Sequence, residues 1–162
     1  MLGNAHFMIE RSVSCLGPHG FHRLAYRDWP GPKDAPVLIC VHGLTRNARD
    51  FDTLAAALAA HYRVICPDMP GRGDSEWLAH GADYDNPLYL ADIAALIARL
   101  DVERVDWVGT SMGGIIGMLL AAMRWMAGGS WNSRRVLDTA ARLGPTRAAT
   151  SSWVSPNPSM SC

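Results

Sequence analysis

A strand, a sharp turn and a helix are encoded by residues 106–114, Asp-Trp-Val-Gly-Thr-Ser-Met-Gly-Gly, and this pattern constrains the fold more than any other stretch of the chain. Residues 105–108 form a short apolar run that is typical of a buried parallel strand. Residues 115–123 begin an apolar segment of helical length. The sequence therefore predicts a strand that enters a helix through one tight corner, and Ser111 lies at that corner.

The corner has the spacing Gly-x-Ser-x-Gly. Gly109 and Gly113 stand where a strand and a helix pass within contact distance, so that only small residues fit there. A serine in such a turn is exposed at the helix N-terminus, where free backbone N–H groups and the helix dipole favour a developing negative charge. Because the motif is preceded by a strand and followed by a helix, Ser111 is a candidate nucleophile.

Composition narrows the class of protein. A chain of 162 residues with 49% hydrophobic residues can bury a core as one domain. With a formal net charge of zero, neither nucleic acid nor an anionic membrane is predicted as a partner. Residues 1–10 lack the pattern of a secretory signal, and the apolar stretch 115–123 is too short to span a bilayer. We therefore expect a soluble, cytoplasmic protein.

No cofactor or metal is predicted. The turn at residues 69–75, Met-Pro-Gly-Arg-Gly-Asp-Ser, lacks the Lys-Ser/Thr ending of a phosphate-binding loop and the three-glycine spacing of a dinucleotide site. The cysteines show no ligand spacing, and Cys40 and Cys66 lie in apolar runs, where buried inert thiols are expected. His19 and His22, beside a Pro-Gly turn at residues 17–20, are expected at the surface.

The remaining elements alternate between strands and helices. A hairpin is predicted from residues 7–13 and 21–29, and buried strands from residues 36–41 and 62–68. A helix with an apolar stripe is predicted over residues 50–60, with Asp50 as its cap. A second apolar stripe predicts another helix, in which Asp92 and Arg99 point away from the stripe. The stripes are Phe51, Leu54 and Leu58, and Leu90, Ile93, Ile97 and Leu100. This order predicts an α/β fold with a mostly parallel sheet.

Four features of the chain together resemble the N-terminal half of bacterial serine hydrolases of the α/β-hydrolase fold. They are the edge hairpin, the strand ending in His42-Gly43, the strand followed by residues 67–75 and the serine corner. The resemblance covers about residues 8–123. It implies a three-layer α/β sheet with Ser111 as the nucleophile. The backbone N–H groups of Met112 and Leu44 are then expected to form the oxyanion hole, with His42 shaping the loop.

The resemblance leaves several reactions open. Relatives that attack with a carboxylate, such as epoxide hydrolases and haloalkane dehalogenases, are excluded because the corner residue is serine. Hydrolysis of an ester, thioester, lactone or carbon–carbon bond of a small molecule through an acyl-enzyme remains possible. The family triad continues with an acid and then a histidine. After Ser111 the sequence has one acid, Asp138, and its six histidines all precede Ser111. We therefore expect an inactive chain, and the alternative is a fragment that at most binds a ligand or partner.

The C-terminal quarter differs in character. Residues 1–123 are predicted to form a partial α/β-hydrolase domain and residues 124–162 an irregular tail, in which residues 133–143 are one candidate helix. A reading-frame change near Met123 is a hypothesis that explains such a tail. With the family strand order 1-2-4-3-5, the strand at residues 105–108 is expected to be an open edge through which the chain self-associates.

Overall fold

The computed structural model describes residues 7–126 and 136–138. Within them, six strands form one mixed sheet in the order β1-β2-β4-β3-β5-β6. The predicted α/β class and the order of the first five strands are confirmed. The strands are β1 (Ile9–Gly17), β2 (Gly20–Trp29), β3 (Val37–Val41), β4 (Arg63–Pro67), β5 (Asp106–Gly109) and β6 (Val136–Asp138), and the helices are α1 (Asp52–Leu58), α2 (Asn86–Leu100) and α3 (Met112–Met126).

Strands β1 and β2 form the predicted antiparallel hairpin. Their pairing continues to Gly17 opposite Gly20, so that β1 extends beyond the predicted end at Val13. Gly20 has a φ of 126°, which a residue with a side chain rarely adopts. The register places Cys15 directly opposite His22. Strand β2 then pairs antiparallel with β4 and joins the hairpin to the parallel part of the sheet.

Strand β3 lies at the centre of the sheet and is buried along its whole length, as its continuous apolar run predicts. It pairs in parallel with β4 on one side and β5 on the other. Ile39 faces the cluster that α2 and α3 complete, whereas Cys40 faces the cluster that α1 completes. Helices therefore cover both faces of the sheet.

The first helix differs from its prediction. A short 3₁₀ turn, Ala48–Phe51, precedes α1, and the side chain of Asn47 caps that turn by accepting a hydrogen bond from the Arg49 N–H. Asp50 pairs with Arg46 instead of acting as the cap. Leu54 is 38% exposed because the inward positions are four residues apart, at Phe51, Ala55 and Ala59.

The prediction that Asp92 points away from the core is wrong. Its side chain in α2 is fully buried, as are its helical neighbours Ile93 and Leu96. Helix α2 packs on β1 as well as on the central strands, so that its buried face is wider than the predicted apolar stripe. The helix is capped by Asp85, whose side chain accepts a hydrogen bond from the Leu88 N–H.

The prediction of an open edge at β5 is also wrong, because β6 pairs in parallel with Trp107–Gly109 of that strand. Residues 136–138 are therefore a strand and not part of a helix. The connection through α3 brings β6 alongside β5, where it satisfies backbone groups that would otherwise be unpaired. Helix α3 continues to Met126, past the predicted boundary at residue 123. Residues 127–135 and 139–162, the rest of the predicted tail, lie outside the described part of the chain.

In the part of the chain that the structure describes, no helix combines the length and the apolar character needed to cross a bilayer.

Candidate active site

Ser111 lies between the end of β5 and the start of α3, with its backbone in the left-handed region at a φ of 52°. This conformation is strained for a residue with a side chain. The serine is exposed, whereas Met112 and Gly113 after it are buried. The structure thus presents the Ser111 side chain at the mouth of α3, as the sequence predicts.

Close packing holds this corner in place. A Cβ atom on Gly113 would collide with the carbonyl group of Val41, and one on Gly109 would collide with the backbone of Gly113. The Thr110 N–H donates a hydrogen bond to the Val41 carbonyl over 3.0 Å. The Trp107 indole N–H donates to the Gly113 carbonyl, also over 3.0 Å. The predicted need for small residues at both flanking positions is confirmed.

The loop after β3 lies against the serine. A Cβ atom built on Gly43 would be 3.6 Å from the Cβ of Ser111. Leu44 follows Gly43, and among the described residues its backbone N–H donates no hydrogen bond. Met112 is the first residue of α3, where a backbone N–H has no acceptor within the helix. Both groups therefore have free donors near Ser111, and their role in an oxyanion hole stays a prediction.

His42 is fully buried and engages both ring nitrogens. Its Nε2 accepts a hydrogen bond from the Met69 N–H over 3.0 Å, so that Nδ1 carries the proton and donates to the Gly43 carbonyl over 2.7 Å. Burial lowers the pKa of His42 below its usual 6.5 and keeps the ring neutral. The histidine thus fixes the loop that contacts Ser111, which agrees with a loop-shaping residue and not with a general base.

Asp68 organises the glycine-rich turn at residues 69–75. One carboxylate oxygen accepts a hydrogen bond from the Ala48 N–H over 2.6 Å, and the other accepts one from the Asp74 N–H over 2.9 Å. A Cβ atom on Gly73, whose φ is 51°, would collide with this carboxylate. Gly73 therefore allows the backbone to approach the Asp68 side chain closely. This packing explains the glycine-rich turn without a bound phosphate.

Residues 36–129 match the family described as the alpha/beta hydrolase fold. The chain belongs to that family. A 3-hydroxybutyrate-oligomer hydrolase from Cupriavidus necator is 59% identical over 111 residues, which are 68% of this chain and 38% of that protein. A magnesium-chelatase 30 kDa subunit from Rhodobacter capsulatus is 38% identical over 98 residues, or 58% of this chain and 34% of that protein.

Solved structures agree with this assignment. An alpha/beta hydrolase from Novosphingobium aromaticivorans is 43% identical, with a TM-score of 0.67, over 75% of this chain and 41% of that one. An epoxide hydrolase from Vigna radiata is 28% identical, with a TM-score of 0.65, over 72% of this chain and 36% of that one. The α/β-hydrolase chain described here therefore spans about two fifths of the length of these relatives.

Sequence analysis of this α/β-hydrolase chain missed a buried polar cluster between the hairpin and α2. The prediction of a surface position is wrong for His22, which is 6% exposed and whose Nε2 lies 2.9 Å from Asp92 Oδ2. The Cys15 thiol donates to the Asp92 carbonyl over 3.9 Å. The structure pairs Cys15 with His22 across the hairpin, a pairing that the predicted strand ending at Val13 does not include. His19 is exposed, as predicted.

The same cluster contains groups that can act as metal ligands. The ligand atoms of Cys15, His22 and Asp92 lie within 4.8 Å of one another. Asp92 Oδ1 is buried without a hydrogen-bond partner among the described residues. Burial and the neighbouring Asp92 raise the pKa of Cys15 to about 12, so that its thiol stays protonated at neutral pH. We therefore describe the cluster as a buried polar contact that joins β1, β2 and α2.

The prediction that Cys40 and Cys66 are buried thiols outside a disulfide is confirmed. A hydrogen bond with Cys40 and burial raise the pKa of Cys66, which makes its thiolate inaccessible at neutral pH.

Proposed function

We propose that this chain carries the nucleophile half of a serine hydrolase that cleaves a small-molecule ester. The observation that carries the proposal is the exposed Ser111 at the strained corner of the β5–α3 connection. In its role as nucleophile, Ser111 attacks the carbonyl carbon of the substrate. The N–H groups of Met112 and Leu44 then stabilise the negative charge on the carbonyl oxygen.

Two further observations support an ester as the substrate class. The residue at the corner is serine, which forms an acyl-enzyme, although one structural neighbour is an epoxide hydrolase. The 59% identical relative is named as a hydrolase of 3-hydroxybutyrate oligomers, and the units of such oligomers are joined by ester bonds. Thioesters, lactones and carbon–carbon bonds remain within the same chemistry.

We further propose that turnover by these 162 residues alone is close to background. No histidine follows Ser111 in the sequence, and both ring nitrogens of the nearby His42 are engaged in hydrogen bonds. Without a base the serine hydroxyl stays protonated and reacts slowly. The same observation favours the second candidate function, a non-catalytic fragment that binds a small ligand or a partner.

Covalent labelling and turnover test this proposal together. We expect a fluorophosphonate to label the chain slowly, and Ser111→Ala to abolish the labelling, because the hydroxyl is exposed at the helix mouth. Hydrolysis of p-nitrophenyl butyrate should be near background in both forms. Ser12→Ala, which changes an exposed serine on β1, is the control and should label as the unchanged chain does.

Each part of the result has its own meaning. Equal labelling of the unchanged chain and Ser111→Ala would refute the nucleophile role and favour the binding fragment. Rapid turnover that is lost in Ser111→Ala would instead refute the proposed inactivity and would require a base from elsewhere.

A further inference from the structure

Arg72 is a partly buried cation without a carboxylate partner among the described residues. Other arginines of the hairpin and of the central region do have one, at 2.7 Å for Arg27 with Asp52 and for Arg63 with Asp28. A cation that is partly removed from water usually has an anionic partner. Arg72 thus differs from Arg27 and Arg63 in that its contacts are to neutral groups.

The guanidinium group of Arg72 is held in a fixed position. Its Nε donates to the Leu44 carbonyl over 3.0 Å, and its Nη1 donates to the Pro70 carbonyl over 2.7 Å and to the Tyr89 hydroxyl over 2.9 Å. Its central carbon lies 5.6 Å from the centre of the Tyr84 ring and 5.7 Å from that of Tyr89. Nη2 makes no hydrogen bond within the described part of the chain, and its two N–H donors therefore remain for a ligand.

Arg72 lines a cavity of about 350 Å³ beside the candidate active site. Leu44 and Thr45 form one wall of this cavity, and Leu44 is also a proposed oxyanion donor. Tyr84 forms another wall, where its hydroxyl accepts a hydrogen bond from the Leu78 N–H over 2.7 Å. Trp77 also lines the cavity, and its side chain is 76% exposed.

We propose that this cavity is a substrate subsite in which Arg72 binds a carboxylate, and hence that the substrate is an ester that also carries a free carboxylate. The inference rests on the proposed ester hydrolysis at Ser111, because Leu44 connects the two sites. With the ester carbonyl at the Leu44 N–H, the chain of the substrate lies along Leu44 and under Trp77. Its carboxylate then accepts hydrogen bonds from Nη2 of Arg72, which is a charge-assisted contact.

Binding, and not turnover, tests this subsite. The probes are the linear dimer of 3-hydroxybutyrate, which has one ester and one terminal carboxylate, and the methyl ester of that dimer, which has no charge. We expect titration with the dimer at pH 7 to shift the NMR signals of the Arg72 Nε–H group and the Trp77 indole. The methyl ester should bind about tenfold or more weakly, because it lacks the charge-assisted hydrogen bonds.

Variants test whether Arg72 is responsible for the tighter binding of the dimer. Arg72→Gln should weaken dimer binding to the level of the methyl ester. Arg46→Gln is the matched control, because Arg46 lies in the loop that contains Leu44, pairs with Asp50 and does not line the cavity. Dimer binding without fluorophosphonate labelling at Ser111 would refute the proposed function and keep the subsite, whereas labelling without dimer binding would do the reverse.

Two results would overturn the subsite. One is equal affinity for the dimer and its methyl ester, and the other is unchanged dimer affinity in Arg72→Gln. If Arg72→Gln fails to fold, as a circular dichroism melt would reveal, the comparison of the two probes on the unchanged chain decides the question alone.

Discussion

Asp92 shows how a single buried residue can make the stability of this fold depend on pH. One carboxylate oxygen contacts His22, and the other has no partner in the described part of the chain. Desolvation by burial raises the pKa of Asp92 above its usual 3.8, although the contact with His22 opposes this rise. The native state therefore keeps the proton of Asp92 to a higher pH than the unfolded state does.

This difference predicts the sign of the pH effect. As pH rises above 3.8, Asp92 ionises in the unfolded chain before it ionises in the native state, and this favours unfolding. The native state therefore loses stability until the pH exceeds the raised pKa of Asp92 in the folded chain. We expect Asp92→Asn to gain stability relative to the unchanged chain between pH 3.8 and the raised native pKa. Urea denaturation across pH 3.5 to 8 measures this difference.

The pair of His19 and Asp83 provides the control for this prediction, since its atoms lie 3.5 Å apart and the His19 side chain is exposed. Asp83→Asn should change stability little, because solvent around His19 screens the pair. A difference between Asp92→Asn and the unchanged chain that stays constant with pH, or falls as pH rises, would contradict the proposed effect of burial.

At the scale of elements, the contact between α3 and β3 determines whether the serine corner can form. Gly113 lies in the first turn of α3 directly over the Val41 carbonyl, where no Cβ atom fits. We expect Gly113→Ala to lower the free energy of unfolding by about 1–3 kcal/mol, because the helix must move away from the central strand. Thermal or urea denaturation gives the value.

Gly81→Ala is the matched control for this change, because a Cβ atom at Gly81 has no neighbour within 4 Å and the glycine has no positive φ. It should leave stability nearly unchanged. If both variants lost the same amount of stability, a general effect of glycine replacement, and not the contact with Val41, would be responsible.

In the whole molecule, β6 determines which strand forms the edge of the described sheet. Its three residues pair with β5, whose edge is otherwise open to another chain. Successive N–H groups of a strand point to opposite sides, so that only one of Val136 and Leu137 can donate to β5. We expect proline at that one position to uncover β5 and increase self-association, whereas proline at the other should change it little.

Sedimentation velocity over a range of concentrations measures the association of both variants. Identical behaviour of Val136→Pro and Leu137→Pro would mean that backbone pairing by β6 does not control association. Self-association of the unchanged chain through a sheet edge remains a proposal that the same measurement tests.

Much of the central sheet and of the serine corner could be predicted from the sequence. The continuous apolar run of β3 and the glycine spacing around Ser111 are local signals, because a buried parallel strand and a tight strand–helix turn each need particular residues close together in the chain. The hairpin followed for the same reason, from the turn between Gly17 and Gly20.

Which distant side chains meet depends on long-range packing. His22 and Asp92 are 70 residues apart, and local patterns predict both to lie away from the core, since the periodicity of one helix does not reveal a hairpin packed against its side. Arg72 reaches Leu44 across 28 residues, and β6 covers β5 after a whole intervening helix. Local sequence patterns predict the strand, turn and helix around Ser111, whereas long-range packing sets what surrounds this corner, because burial depends on neighbours that local patterns do not encode.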